Sequence, residues 1–169
     1  MIEDIVRELG YLTLGSRLKR IGERLQSQAQ VLLEESGMSL SAAHWPLLAA
    51  LHRLGPLRVG ELAQAMGVSQ PGVTRLLQRL ESENLVRSQR PSGDRRLRPI
   101  ALTRAGRELV ERSKARVWPR IEAAVAQACA GASGPLLVQL QALEEALAAS
   151  PLHARAGQSR TRNSKHAGA

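Results

Sequence analysis

The sequence predicts a mainly α-helical fold carrying a helix-turn-helix and one small β-hairpin. Three observations predict it. Helix formers, above all Ala, Leu, Gln, Glu and Arg, fill most of the 169 residues, and β-branched residues are sparse. Apolar residues recur at helical spacing through most segments. Only two short stretches, Leu85–Arg90 and Leu97–Leu102, read as strands, and a Pro-Ser-Gly turn lies between them. The length suits one domain with a real core.

From Ile2 to Glu35 the apolar stripe runs through Ile5, Leu9, Leu12, Leu18, Ile21, Leu25, Ala29 and Leu32. Gly10, Gly15 and Ser16 weaken its first part, so a break is expected there, and Gly37 supplies the stop. So long a helix cannot bury its stripe in a small core alone and asks for a partner chain. Ser41 is placed to cap a second helix that ends at Gly55 and turns Leu47, Leu48, Leu51 and Leu54 inward, with Pro46 in its first turns. A third helix runs from Val59 to Met66 and a fourth from Ser69 to Ser82. After the strand candidates, Thr103 caps a long helix reaching towards Cys129, which Pro119 should kink. A last helix, Gly134 to Ala149, aligns Leu136, Leu140, Leu143 and Leu147 on a nearly heptad-spaced seam that reads as packing against another helix. The domain then spans 1–149, and the tail 150–169, with four basic residues and no acids, reads as disordered.

The net charge of +9 and a pI near 11.3 favour a polyanionic partner, nucleic acid or an acidic membrane surface. The basic residues are mostly arginine, which suits forked contacts to phosphates and base edges, although a GC-rich genome produces the same bias. A membrane role would need the cluster on an amphipathic helix face, whereas it sits on the hairpin. No apolar run approaches the roughly 20 residues that span a bilayer. Cys129 is the only cysteine, so no internal disulfide forms. The acidic start "MIEDIVRELG" lacks the features of a signal peptide, and a cytoplasmic location is expected.

The segment "RVGELAQAMGVSQPGVTRLLQRLESENLV" carries the strongest signal. Leu62, Ala63 and Met66 face inward, Gly67 provides a left-handed turn, Val68 plugs it and Ser69 caps the next helix. Val73, Leu76, Leu77 and Leu80 bury one side, leaving Gln70, Thr74, Arg75, Gln78 and Arg79 on the other. Arginine fits guanine forks, glutamine fits adenine edges, and a helix N-terminus favours a phosphate. Pro71 and Gly72 leave room for close approach of that end. The same two helices would also suit a protein-docking module that does not bind DNA specifically.

The hairpin favours DNA. Arg87, Arg90, Arg95, Arg96 and Arg98 are opposed only by Asp94. A narrow minor groove attracts an arginine at such a tip, and Asp94 is placed to orient one of them through a charge-assisted hydrogen bond. Pro99 in the second strand belongs on an edge or leaves one ladder bond unmade.

In order, "ELAQAMGVSQPGVTRLLQRLE", "NLVRS", "DRR" and "IALTRAG" resemble the MarR family of winged-helix transcription regulators over about Leu40 to Gly106. The family's aspartate–x–arginine wing motif falls on Asp94 and Arg96, and its LT-x-x-G signature on Leu102, Thr103 and Gly106. The resemblance implies a winged helix-turn-helix lobe at about 41–102 and long dimerisation helices at about 2–35 and 103–149. It implies a homodimer, with Leu9 and Leu12 joining the leucine seam at the interface. It also implies a repressor acting on a pseudo-palindromic double-stranded operator, contacted by Ser69, Gln70, Pro71, Gly72, Thr74, Arg75, Gln78, Arg79 and the wing arginines. Many relatives respond to a small, often aromatic, molecule. Tyr11, His44, Trp45, His52 and Trp118 are this sequence's candidate pocket set, although each residue also suits a core or surface role. Cys129 has no neighbouring base and reads as a packing residue. The histidines lack metal-ligand spacing, and no phosphate loop or nucleophile–base motif is present, so neither an enzyme nor a cofactor is expected.

Overall fold

The computed structural model describes residues 2–88, 99–132, 134–150 and 152. Its contacts divide the chain between Val125 and Ala126, and the two parts are described in turn.

The expected break in the first helix lies at Gly10. Helix α1 (Ile5–Glu8) is followed by a 3-10 turn over Gly10–Thr13 and then by α2 (Leu14–Glu35), which runs unbroken through Gly15 and Ser16. Gly10 takes a positive φ of 55°. Three bonds tie the short pieces down: Thr13 Oγ1 donates to the Val6 carbonyl at 2.7 Å, and both Arg20 Nη groups donate to the Asp4 carboxylate at 2.9 Å. Gly37 ends α2 with φ of 74°, letting the Met38 N–H bond back to the Leu33 carbonyl.

Ser41 does not cap α3 (Trp45–Leu54) with its side chain, because a 3-10 turn over Ala42–His44 intervenes. Pro46 sits in the first turn of α3, where its missing N–H breaks no helical bond. Leu47, Leu48 and Leu51 are buried, but Leu54 is 57% exposed, because the chain reverses at Gly55 and nothing covers the last turn. Helix α4 (Val59–Met66) and helix α5 (Gln70–Ser82) pack against each other across Gly67, whose φ is 65°. The turn between them is closed by the Val68 N–H donating to the Ala63 carbonyl. Val68 itself is 42% exposed and plugs nothing: the backbone makes the turn and the side chain stands outward.

Strands β1 (Val86–Ser88) and β2 (Ile100–Leu102) are antiparallel, with Val86 opposite Leu102. Leu85 and Pro99 lie just outside the strands, β2 ends at Leu102 as expected, and the expected strand residues Gln89, Arg90, Leu97 and Arg98 lie outside the described residues. On the other side of β2, Leu57 exchanges two backbone bonds with Ile100, so Ile100 has Leu57 on one flank and faces Ser88 of β1 on the other. Pro99 precedes β2, and no bond of the described ladder calls on its nitrogen.

The junction of β2 with α6 (Arg104–Arg116) is tight. Thr103 Oγ1 accepts from the Gly106 N–H at 3.0 Å and donates to the Asn84 carbonyl at 2.7 Å. A Cβ on Gly106 would stand 2.0 Å from the Leu85 carbonyl oxygen, so glycine is what allows the helix to lie against the strand entry. Pro119 has the expected effect slightly upstream. The helix is interrupted at Val117 and resumes as α7 (Trp118–Cys129), with Pro119 in its first turn. The core joins Leu33, Leu48, Leu62, Val73, Leu80 and Val110, and the one buried polar side chain among the described residues, Ser113, donates to Met38 Sδ.

In the second part, α8 (Leu136–Ala149) is amphipathic only weakly. Leu136, Leu140 and Leu143 are half-buried, whereas Leu147, Leu137 and Val138 are exposed.

Candidate nucleic-acid interface and ligand cavity

Helix α5 presents one continuous polar face. Ser69 is its N-cap, accepting from the Gly72 N–H at 3.3 Å, and Pro71 lies in the first turn. Val73, Leu77 and Leu80 are buried and Leu76 packs partly against them, which turns Gln70, Thr74, Arg75, Gln78 and Arg79 outward, all exposed. These side chains are not equally free. Thr74 Oγ1 donates to the Gln70 carbonyl in its own helix, and Arg79 pairs with Glu83 at 2.6 Å. Arg75 and Gln78 form no ion pair or hydrogen bond with any described residue, so their donors stand ready for an outside acceptor. Arg87, in β1, is exposed beside them in sequence. The hairpin residues Arg90, Asp94, Arg95, Arg96 and Arg98 lie outside the described residues.

The expected pocket set is divided by the structure. Trp45 and Trp118 come together edge to face, with ring centroids 6.4 Å apart, and both line a cavity of about 470 Å³. Its other walls include Leu25, Ala29 and Leu33 from α2 and Ile121 and Val125 from α7. Trp45 is buried, and its Nε1 is a buried side-chain donor with no acceptor. Tyr11, His44 and His52 are not part of this cavity. Tyr11 is 94% exposed on the 3-10 turn after α1. His44 bonds locally to the Ser41 carbonyl. His52 points from α3 to α6, where Nε2 meets Glu111 Oε1 at 2.5 Å; that hydrogen bond, aided by Lys114, holds the Glu111 carboxyl below its usual range. Sequence reasoning missed Gln26 and Glu122, two polar side chains of the cavity. Glu122 falls four residues after Trp118, one turn along the same face, and that spacing is the signal that could have found it.

Of the apolar residues assigned to a dimer interface, Leu9, Leu12 and Leu147 are exposed in this chain, whereas Leu136, Leu140 and Leu143 are half-buried. Leu9 is 47% and Leu12 81% exposed, and Ile5, Ile21 and Val31 extend the stripe. Among the described residues no group of His, Cys, Asp and Glu could hold a metal ion, and no helix is long and apolar enough to cross a membrane.

Comparison with known proteins gives the arrangement its relatives. The MarR family model matches residues 36–97. BpsR of Bordetella bronchiseptica, whose DNA binding is regulated by 6-hydroxynicotinic acid, is 25% identical with a TM-score of 0.60, over 80% of this chain and 93% of that one. A MarR-family regulator from Silicibacter pomeroyi is 27% identical with a TM-score of 0.57, over 87% and 97%. MepR of S. aureus, solved in complex with DNA, shares the fold at 23% identity and a TM-score of 0.62, over 81% and 97%.

Proposed function

We propose that this chain is a MarR-family winged-helix transcription regulator that acts as a sequence-specific double-stranded DNA-binding homodimer; the family-model match over residues 36–97 and the likeness to solved regulators support this reading. The observation that carries this reading is the outward face of α5, where Arg75 and Gln78 stand exposed and unengaged just after the capped N-terminus. Arginine and glutamine at such positions suit base edges in a major groove, while the N-terminus at Ser69–Gly72 suits a phosphate. The hairpin arginines then serve an adjacent minor groove, Arg96 foremost, with Asp94 orienting it.

The uncovered stripe of Ile5, Leu9, Leu12 and Ile21 supports a second copy as the partner of α1 and α2, together with the leucine seam of α8. Two lobes related by a two-fold axis call for a pseudo-palindromic site with half-sites about one helical turn apart. We propose repression as the output, in the cytoplasm, with release by a small aromatic effector in the Trp45–Trp118 cavity. The cavity volume suits such a ligand, and the regulation of BpsR supports small-molecule control.

Selection of genomic fragments on the purified full chain tests the reading. A palindromic site should be enriched, and its affinity should fall steeply with salt as phosphate contacts release counterions. The Arg96→Ala variant should bind more weakly, with a smaller salt slope. Failure to enrich any such site at moderate salt refutes DNA recognition and favours a protein-docking module.

A further inference from the structure

We infer that the Trp45–Trp118 cavity takes a cationic aromatic ligand, its apolar body among the indoles and its positive head at Glu122, and that Glu122 is the specificity determinant. The inference rests on the reading of this cavity as an effector site and concerns the charge of what enters it. Although the chain carries a net +9, no arginine, lysine or histidine lines the cavity. Apart from the tryptophan indole N–H groups, its polar side chains are Gln26 and Glu122, both exposed. Glu122 forms no ion pair with any described residue. The neighbouring Arg120 is turned away, its two Nη groups donating to Ser36 Oγ at 3.2 Å and to Glu35 Oε2 at 3.3 Å.

A carboxylate entering this space would lose water, meet no cation and approach a like charge. A cation gains twice. The Glu122 carboxylate lies on the same face of α7 as Trp118, and the indole rings attract positive charge through their quadrupoles. Glu122 is exposed, so the ion pair forms in a solvated setting and is screened by salt.

Isothermal titration calorimetry of the full chain tests this with three probes of similar body: para-tert-butylbenzyltrimethylammonium, para-tert-butylbenzamide and para-tert-butylbenzoate. The ammonium should bind about tenfold more tightly than the benzoate at low salt, as a screened ion pair plus a cation–π contact would give. Glu122→Gln, an exposed substitution that leaves the core untouched, should weaken the ammonium roughly threefold or more and leave the benzamide within about twofold. Benzoate binding as tightly as the ammonium, or an ammonium affinity that Glu122→Gln leaves unchanged, overturns the charge inference while the effector cavity stands. Absence of binding by all three probes overturns the effector cavity itself, and the charge inference with it.

Discussion

Replacing Gly106 by alanine perturbs one contact whose size can be worked out. The added Cβ would lie 2.0 Å from the Leu85 carbonyl oxygen, 3.0 Å from its carbon and 3.3 Å from Leu102 Cδ2. Ordinary contact begins near 3.4 Å, so α6 and the strand entry must separate by about 1.4 Å. That movement strains the Thr103 N–H bond to the Leu85 carbonyl (3.0 Å) and the Thr103 hydroxyl bond to the same oxygen (3.2 Å). Overpacking costs about 1–3 kcal/mol and each of the two weakened bonds roughly 0.5–1.5 kcal/mol, giving about 2–6 kcal/mol in all. A domain has only about 5–15 kcal/mol to lose, so the variant should melt about 10 °C lower or fail to accumulate. Urea denaturation followed by circular dichroism, at matched protein concentration, reads the loss. Gly131→Ala is the control, because a Cβ there meets nothing within 4 Å. A Gly106→Ala loss under about 1 kcal/mol, indistinguishable from that control, would refute the close approach.

Three further outcomes are expected. Arg75→Ala and Gln78→Ala should each weaken specific duplex binding by about 1–3 kcal/mol; a base contact relaxes sequence preference, whereas a phosphate contact lowers the salt slope, and competition binding separates the two. The His52 hydrogen bond depresses Glu111, so the stability it contributes is present above the ordinary glutamate pKa and is lost as pH falls through the lowered one. Thermal melts of Glu111→Gln should therefore show a shallower acid-side decline than the parent. Leu12→Asp combined with Ile5→Asp should shift the chain from dimer to monomer in sedimentation equilibrium, since both side chains are exposed in the single chain.

Much of this was legible in the sequence because the signals were local. Gly67 and Ser69 announce the turn and cap of the α4–α5 pair by backbone chemistry that needs no distant partner, and both appear as expected. Periodicity likewise found the buried faces of α3 and α5. It failed at Leu54, where the spacing is right but the chain turns away and leaves nothing to pack on, and Val68, expected to plug the turn, stands outward. The cavity was half legible. Two tryptophans among so few aromatics invite attention, but whether Tyr11, His44 or His52 joins them depends on how α3, α6 and α7 meet. Gly106 shows the same divide. The LT-x-x-G spacing marks the position, while the reason, a carbonyl oxygen 2.0 Å from where a side chain would begin, exists only in three dimensions.

The edge-to-face tryptophan pair has an optical consequence. The chain contains no phenylalanine, a single tyrosine that is 94% exposed, and no tryptophan besides Trp45 and Trp118. Fixed aromatic packing is what gives a protein its near-ultraviolet circular dichroism. Here that spectrum arises almost wholly from one seam, where α3 meets the start of α7. The far-ultraviolet signal reports every helix, including α4 and α5, which carry no aromatic residue. Each unfolding curve therefore contains two separate clocks, one for the seam and one for the helices as a whole. If the helix-turn-helix and the tryptophan seam melt together, the two coincide; if the seam loosens first, the near-ultraviolet band fades while the helices persist.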